Sequence, residues 1–244
     1  MTAPLVFLPG WGLGRGPLEA VAEALGGQIV DLPGYNGAPL IDDFTTAVDT
    51  IAQRLEAGST LCGWSLGAQL ALAVAERAPD RVAKLVLVAG TASFIQRDGW
   101  PHAMPPATLT EFAAGVAADP EALLPRFVGG FCRGDAQAKA CTRQLLELGR
   151  PWPPAATLAT GLAWLRDVDL RAAAARIAVP TLLIHGAADP LMPLAAGQAL
   201  AALIPGAQLS VMADCAHAPF TSRPDDFRAR LQAFLNDQVP TASR

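Results

Sequence analysis

A serine between two glycines, in GWSLG at residues 63–67, is the first group in this sequence that could do chemistry. The apolar run before it is typical of a strand, and the apolar run after it of a helix. A sharp strand-to-helix turn exposes such a hydroxyl above a sheet, where it can act as a nucleophile. The flanking glycines remove side chains where strand, turn and helix crowd. We therefore predict that Ser65 is a nucleophile, the alternative being an ordinary N-cap serine.

A serine nucleophile needs a base, and the sequence offers three histidines. His217, in ADCAHAPF, follows the last predicted strand and precedes the last predicted helix. His185 ends a strand in LLIHGAADP, and His102 lies far from any strand. A strand-to-helix loop brings a side chain over the edge of a parallel sheet. We therefore predict His217 as the base, activating Ser65 by proton abstraction.

The acid that orients this base has two candidates. Asp189 follows the strand at 180–185 in a loop closed by Pro190, whereas Asp214 is only three residues from His217. The order serine, acid, histidine along the chain is that of hydrolases whose serine sits on a nucleophile elbow. We favour Asp189, which would fix the tautomer of His217 and stabilise its cation. Asp214 is predicted to cap a turn.

The negative oxygen formed during acyl transfer needs two N–H donors. One is predicted to be the backbone of Leu66, the residue after the nucleophile. The second is predicted from the glycine-rich loop LPGWGLG at residues 8–14, and we assign it to the backbone of Trp11. The indole of Trp11 would then form a wall of the acyl site, the alternative being simple core packing.

The elements that must position these groups alternate along the chain. Continuous apolar runs predict strands buried on both faces of a parallel sheet, with helices between them. The predicted strands span residues 4–8, 28–32, 60–64, 84–89, 180–185 and 207–212. The predicted helices span residues 17–25, 43–57, 66–78, 194–203 and 224–237. Asp42 or Asp43 could cap the second helix, and Pro224 suits the first turn of the last.

One interval breaks the alternation. Residues 93–175 contain helical patterns and proline-rich segments but no convincing strand, and the interval is too long for a plain loop. We predict an α/β fold with a doubly wound, mostly parallel sheet and a helical lid inserted over its carboxyl edge. The predicted division is a core of residues 1–92 and 176–244 and a lid, or cap, of residues 93–175.

Composition excludes several classes of protein. The sequence contains no run of about 20 apolar residues, so it predicts no membrane helix. The first residues lack the basic segment of a signal peptide, so we expect a cytoplasmic location. A net charge of −4 argues against nucleic-acid binding. Four dispersed cysteines predict free thiols, with Cys62 as buried filler, and three scattered histidines make a metal site improbable.

With these residues placed, the chain resembles one branch of the α/β-hydrolases, the pimeloyl-[acyl-carrier protein] methyl ester esterases of biotin synthesis, or BioH family. The matching segments cover nearly the full length. They are GWGLG at 10–14, DLPGYNGA at 31–38, GWSLGAQLAL at 63–72, RDGWP at 97–101, RF at 126–127, LRDVDLR at 165–171, DPLMP at 189–193 and AHAPFTSRPDDF at 216–227.

The resemblance implies a serine esterase that releases methanol from a pimeloyl methyl ester held on acyl-carrier protein, without metal or cofactor. Small esters would also be substrates, and we expect a monomer. It implies substrate contacts from Trp11, Ser65, Leu66 and His217, and from FVGGF in the lid: Phe127, Val128, Gly129, Gly130 and Phe131. The final phenylalanine departs from the family, where a polar residue is common.

The family holds its acidic carrier through basic lid residues, and the resemblance maps these to Arg126, Lys139 and Arg143, with Ala122 at a fourth position. The charge count supports this independently. Residues 126–150 carry a net charge of +3 in a chain whose net charge is −4. An acidic partner would be steered toward such a segment. The alternative is a solvated helical face.

Other functions stay open from the sequence. A general carboxylesterase or thioesterase for short acyl groups would use the same triad without a carrier. A lyase-type relative, such as the menaquinone-pathway synthase, would need basic groups in its pocket. A binding receptor on the same fold belongs to a different class, and the complete triad argues against it.

Overall fold

A six-stranded sheet forms the centre of the protein, and its strands are parallel. A computed structural model describes residues 3–237 of the chain. The order across the sheet is β2-β1-β3-β4-β5-β6, and each neighbouring pair runs parallel. The strands are β1 (Leu5–Leu8), β2 (Gln28–Ile29), β3 (Ser59–Trp64), β4 (Val82–Val88), β5 (Thr181–Gly186) and β6 (Gln208–Met212).

Helices connect these strands in two groups. The helices of the core are α1 (Gly16–Ala24), α2 (Phe44–Gln53), α3 (Leu66–Arg77), α9 (Leu194–Leu203), α10 (Pro219–Ser222) and α11 (Pro224–Asn236). The helices between β4 and β5 are α4 (Pro106–Ala118), α5 (Pro120–Phe131), α6 (Ala138–Leu148), α7 (Ala155–Asp167) and α8 (Arg171–Ala174). We call α4–α8 and their connections the helical insert. None of the helices in residues 3–237 is both long and apolar enough to span a bilayer.

The predicted strands are confirmed, with one difference at the edge of the sheet. The four-residue β1 and all of β3 and β5 are buried, as their apolar runs predict. The run at 28–32 forms only the two-residue strand Gln28–Ile29. Because β2 lies at the edge, it can pair only with the short β1, and Pro33 follows soon after. Apolar patterning alone therefore overestimated this strand.

The strand order creates the place where a site can form. The chain leaves β1 to form β2 on one side and then returns to form β3 on the other, with Leu8 beside Gly63. Such a reversal opens a crevice outside the carboxyl ends of the two strands, where ligands bind in open parallel sheets. The Trp11 loop follows β1 and Ser65 follows β3, so both lie at this crevice.

Local capping accounts for several helix starts. The Asp43 carboxylate accepts a hydrogen bond from Thr46 N at 2.7 Å and caps α2, so Asp43, not Asp42, is the cap. Pro224 occupies the first turn of α11, as predicted. In the interval 93–175, Asp119 caps α5 through Ala122 N at 3.0 Å. The helices α4–α8 make up most of this interval, which otherwise consists of turns, irregular segments and isolated β-bridges. Its division into a separate domain stays a prediction.

Candidate active site

Ser65 lies on a strained turn between β3 and α3. Its φ of +57° and ψ of −116° place a non-glycine residue in a sparsely populated backbone region. A Cβ added to Gly63 would lie 2.1 Å from Gly67 O, and one added to Gly67 would lie 2.3 Å from Leu8 O. Both glycines are therefore required by close backbone packing, as the motif predicts. The packing holds the serine hydroxyl above the end of the sheet.

The imidazole of His217 is held by a buried carboxylate. His217 Nδ1 lies 2.8 Å from Asp189 Oδ2, and both side chains are at most 2% exposed. An ionised carboxylate only accepts hydrogen bonds, so Nδ1–H donates and Nε2 is left to receive a proton. Asp189 Oδ1 accepts from Leu191 N and Met192 N, each at 2.9 Å. These bonds fix the carboxylate, and the carboxylate fixes the tautomer of His217.

Asp214, the rival acid, is placed differently. It adopts a φ of +56°, and its backbone carbonyl accepts a hydrogen bond from Ala136 N at 2.9 Å. Of the two predicted acids, it is Asp189 whose side chain reaches His217. The structure therefore places Asp189 as the partner of the imidazole, and Asp214 in a turn.

Trp64 connects the end of β3 to the loop between β6 and α10 that carries His217, which we call the histidine loop. Its indole Nε1–H donates to the backbone carbonyl of His217 at 2.9 Å, and its ring packs edge-on against Phe220 with centroids 5.0 Å apart. Ser65 and His217 line one cavity, although no hydrogen bond joins their side chains within residues 3–237. Such bonds are often loose before substrate binds and tighten in the reactive complex.

The predicted oxyanion donors lie at the crevice with their N–H groups available. Within the described chain, neither Trp11 N nor Leu66 N donates a hydrogen bond to another residue. The loop that carries Trp11 is fixed at the next residue, because Gly12 N donates a hydrogen bond to the Tyr35 hydroxyl at 2.9 Å. Burial raises the pKa of Tyr35 to about 12, so the phenol stays neutral. Sequence reasoning missed Tyr35, although it is the chain's single tyrosine and lies in DLPGYNGA.

An apolar cavity of about 530 Å³ opens above Ser65 and is roofed by the helical insert. The Trp11 indole forms one wall. It donates to Leu158 O at 2.9 Å and meets the rings of Phe112 and Phe127 edge-on. Apart from Arg126 and Arg133, the cavity walls are largely aromatic and aliphatic, which suits an alkyl chain rather than a charged group.

The FVGGF segment divides between two surfaces. Phe127, Gly130 and Phe131 line the cavity, whereas Val128 is fully buried in the core and Gly129 lines a separate groove. The segment is part of α5, in which successive residues are rotated by about 100°. One helix face cannot present five consecutive residues, so Val128 and Gly129 do not line this cavity, and their contact with substrate stays a prediction.

The predicted carrier-binding residues lie on two different surfaces of the helical insert. Lys139 and Arg143 line an open groove between α5 and α6, while Arg126 lines the cavity. Arg133 lines both and is exposed. Sequence reasoning counted Arg133 only as a charge, since its position at the junction depends on how α5 packs on α6. Within residues 3–237, none of these four cations forms an ion pair.

The four cysteines are buried free thiols, as predicted. Burial raises the pKa of Cys62, next to the nucleophile turn, and it raises the pKa of Cys132 to about 12. A thiol that resists ionisation is a poor nucleophile. Within residues 3–237, no group of three or more histidine, cysteine or acidic side chains is arranged to hold a metal ion.

His185 is a buried histidine that contacts the loop between β5 and α9, which carries Asp189. Its Nε2 lies 2.7 Å from Met192 O, which only accepts, so Nε2–H is the donor. Its Nδ1 is buried with no hydrogen-bond partner in the described chain, and a Cβ on Gly197 would lie 2.6 Å from it. Burial lowers the pKa of His185, an effect partly opposed by the nearby Asp189 carboxylate.

This burial predicts a pH-dependent stability. Below about pH 6.5, the ordinary pKa of histidine, the unfolded chain binds a proton that folded His185 resists binding. The free energy of unfolding should therefore fall as the pH drops, by up to about 1.4 kcal/mol per pH unit from this group, until folded His185 also titrates. Urea unfolding, repeated at several pH values between about pH 7.5 and about pH 5, measures the slope. H185Q should flatten it relative to the unchanged chain, and equal slopes would contradict the prediction.

Comparison with known proteins places this geometry in a family. The sequence model of the alpha/beta hydrolase family matches residues 5–230. An esterase from Exiguobacterium antarcticum has a similar structure, with a TM-score of 0.85 and 26% identity, covering 96% of this chain and 91% of the other. The parallel sheet, the strained serine turn and the His217–Asp189 pair are thus those of an α/β-hydrolase.

Two relatives narrow the class further. The pimeloyl-[acyl-carrier protein] methyl ester esterase of Aromatoleum aromaticum is 40% identical over 238 residues, covering 91% of this chain and 94% of the relative. That of Nitrosomonas europaea is 38% identical over 232 residues, with coverages of 91% and 92%. The chain belongs to the pimeloyl-[acyl-carrier protein] methyl ester esterase family, or BioH family, as its motifs predicted.

Proposed function

We propose that this protein is a serine esterase that hydrolyses the methyl ester of pimeloyl-[acyl-carrier protein] in biotin biosynthesis. The observation that carries the proposal is the buried pair of His217 Nδ1 and Asp189 Oδ2, 2.8 Å apart, in a cavity that Ser65 also lines. The names of its relatives supply the substrate, and the apolar cavity is compatible with a pimeloyl chain.

The chemistry follows from the residues. Ser65 Oγ attacks the ester carbonyl while His217 Nε2 takes its proton, and Asp189 stabilises the imidazolium. The N–H groups of Trp11 and Leu66 bind the resulting oxyanion, and one such donor is typically worth about 3 kcal/mol in the transition state. His217 then protonates the leaving methoxide, which departs as methanol. Water, deprotonated by His217, hydrolyses the acyl-enzyme and frees the carboxylate and Ser65.

The carrier is proposed to dock on the exposed cations of α5 and α6. Lys139 and Arg143 lie along the groove, Arg126 lies in the cavity, and Arg133 borders both. An acidic carrier seated there would place its acyl chain at the cavity opening. The thioester would stay near the carrier while the distal ester enters, which would explain why one of the two esters is cleaved.

Charge reversal in the groove tests this docking. K139E with R143E should lower kcat/KM for the carrier-bound ester by at least about tenfold, because two attractive charges become repulsive. Activity on p-nitrophenyl acetate should change little, since neither residue lines the cavity. R54E on the core surface is the matched control. Equal losses on both substrates would instead favour a general carboxylesterase or thioesterase without carrier specificity.

Genetic complementation tests the proposed function as a whole. A biotin auxotroph that lacks its own pimeloyl-carrier methyl ester esterase should grow without biotin when it expresses this protein, and should not grow when it expresses S65A. Failure of the unchanged protein, despite good hydrolysis of short esters, would contradict the proposed substrate and favour the general esterase.

A further inference from the structure

Two buried carboxylates occur in the described part of the chain, and both contact the histidine loop. One is Asp189, which holds the His217 ring. The other is Asp135, which lies in the connection between α5 and α6 of the helical insert and is 8% exposed. A buried carboxylate is costly unless hydrogen bonds satisfy it. The position of Asp135 is therefore set by the groups that donate to it.

Those donors lie on both sides of His217. Asp135 Oδ2 accepts from Ala216 N at 2.8 Å, and Oδ1 accepts from the Ser222 hydroxyl at 2.7 Å. Oδ1 also accepts from Gln137 N at 2.7 Å, within the insert. Ala216 immediately precedes the imidazole-bearing residue, and Ser222 ends the short helix α10 that follows it. One insert side chain thus spans the segment that carries His217.

Backbone contacts reinforce the same junction. Ala136 N donates to Asp214 O at 2.9 Å, and His217 N makes a long contact of 3.5 Å with Phe131 O. On the opposite side, the Trp64 indole donates to His217 O. The backbone of His217 is therefore held by the sheet through Trp64 and by the insert through Asp135 and its neighbours.

We propose that Asp135 is a positioning residue that couples the seating of the helical insert to the orientation of the His217 imidazole. The role rests on the proposed function, because it matters only if His217 is the base. The α5 helix that leads to Asp135 also supplies Phe127 and Phe131 to the cavity. Displacing the insert would both open the cavity and remove the acceptor of Ala216 N–H, so catalysis would require a seated insert.

Replacing Asp135 with asparagine tests the coupling. D135N can place its single carbonyl oxygen toward Ala216 N or toward Ser222 and Gln137, so an N–H donor must lose its acceptor. We expect kcat on p-nitrophenyl acetate to fall about 10²-fold with a small change in KM, because an ångström-scale displacement of a catalytic group has that effect.

A spectroscopic measurement separates positioning from general damage. The short bond from His217 Nδ1–H to Asp189 should give a downfield proton resonance in the unchanged protein, and this resonance should weaken or shift in D135N. S222A, which removes one donor and leaves the Ala216 bond, is the matched control and should keep the resonance and the kcat of the unchanged protein.

The proposal is overturned if D135N is folded and keeps both the resonance and the kcat of the unchanged protein. D135S provides a second folded form if D135N does not fold. Loss of folding in both variants would also overturn it, because Asp135 would then support the whole insert rather than the histidine. Because this test uses a small ester, its outcome does not depend on the proposed carrier-bound substrate, which is tested separately by complementation.

Discussion

The S65A protein is expected to lose about 10⁴- to 10⁶-fold in kcat. The physical reason is that no other described group is placed to replace the nucleophile. Cys62 lies in β3, just before the turn, but it is buried and burial raises its pKa, whereas Ser65 lines the cavity. Steady-state hydrolysis of p-nitrophenyl acetate and of the carrier-bound methyl ester measures the effect.

Two controls make the S65A result decisive. Circular dichroism should show an unchanged fold, because removing the Oγ atom leaves the backbone and the packing of Gly63 and Gly67 in place. Binding of the carrier-bound substrate should persist. A receptor that merely uses this fold would bind its ligand equally well with and without Ser65 and would hydrolyse nothing. Hydrolysis that persists in S65A would contradict the serine mechanism.

Replacing Asp189 with asparagine is expected to have the next largest effect, a fall of about 10⁴-fold in kcat, as for the equivalent change in a serine protease triad. Asp189 Oδ1 accepts two backbone N–H groups, so the amide of D189N must direct its NH₂ toward His217. That group donates to Nδ1 and stabilises the wrong tautomer, whose protonated Nε2 cannot accept the serine proton.

D214N is the matched control for the acid. Asparagine tolerates the positive φ of position 214, and the Asp214 carbonyl that accepts from Ala136 N is retained. Its kcat should stay close to that of the unchanged protein, because Asp214 is exposed and it is Asp189 that is hydrogen-bonded to His217. Such a surface substitution changes stability by only about 0.5 kcal/mol. A larger loss in D214N than in D189N would reverse the assignment of the acid.

Much of the fold was predictable because its signals are local. Buried parallel strands produce continuous apolar runs, and β3 and β5 were identified on that basis. The exception is β2, whose length depends on its single short partner in the sheet. The serine turn was also predictable, since Gly63 and Gly67 are required by contacts between adjacent elements.

The rest of the candidate site depends on tertiary packing. In the sequence, Asp135 is one acidic residue in a mostly basic segment, and nothing marks it as special. Only the packing of the insert on the core brings it to Ala216 and Ser222. The separation of Val128 and Gly129 from the cavity follows from the rotation of α5. Side chains that act through long-range contacts leave no periodic signal, so pattern analysis could not find them.

The central claim is that Ser65 hydrolyses the methyl ester at the far end of a carrier-bound acyl chain. Mass spectrometry of pimeloyl-carrier methyl ester incubated with the purified protein tests it most directly. We predict conversion to the free distal carboxylate, release of methanol and an intact thioester, with no conversion by S65A. An unchanged methyl ester in the presence of an enzyme active on p-nitrophenyl acetate, or cleavage at the thioester instead, would contradict it.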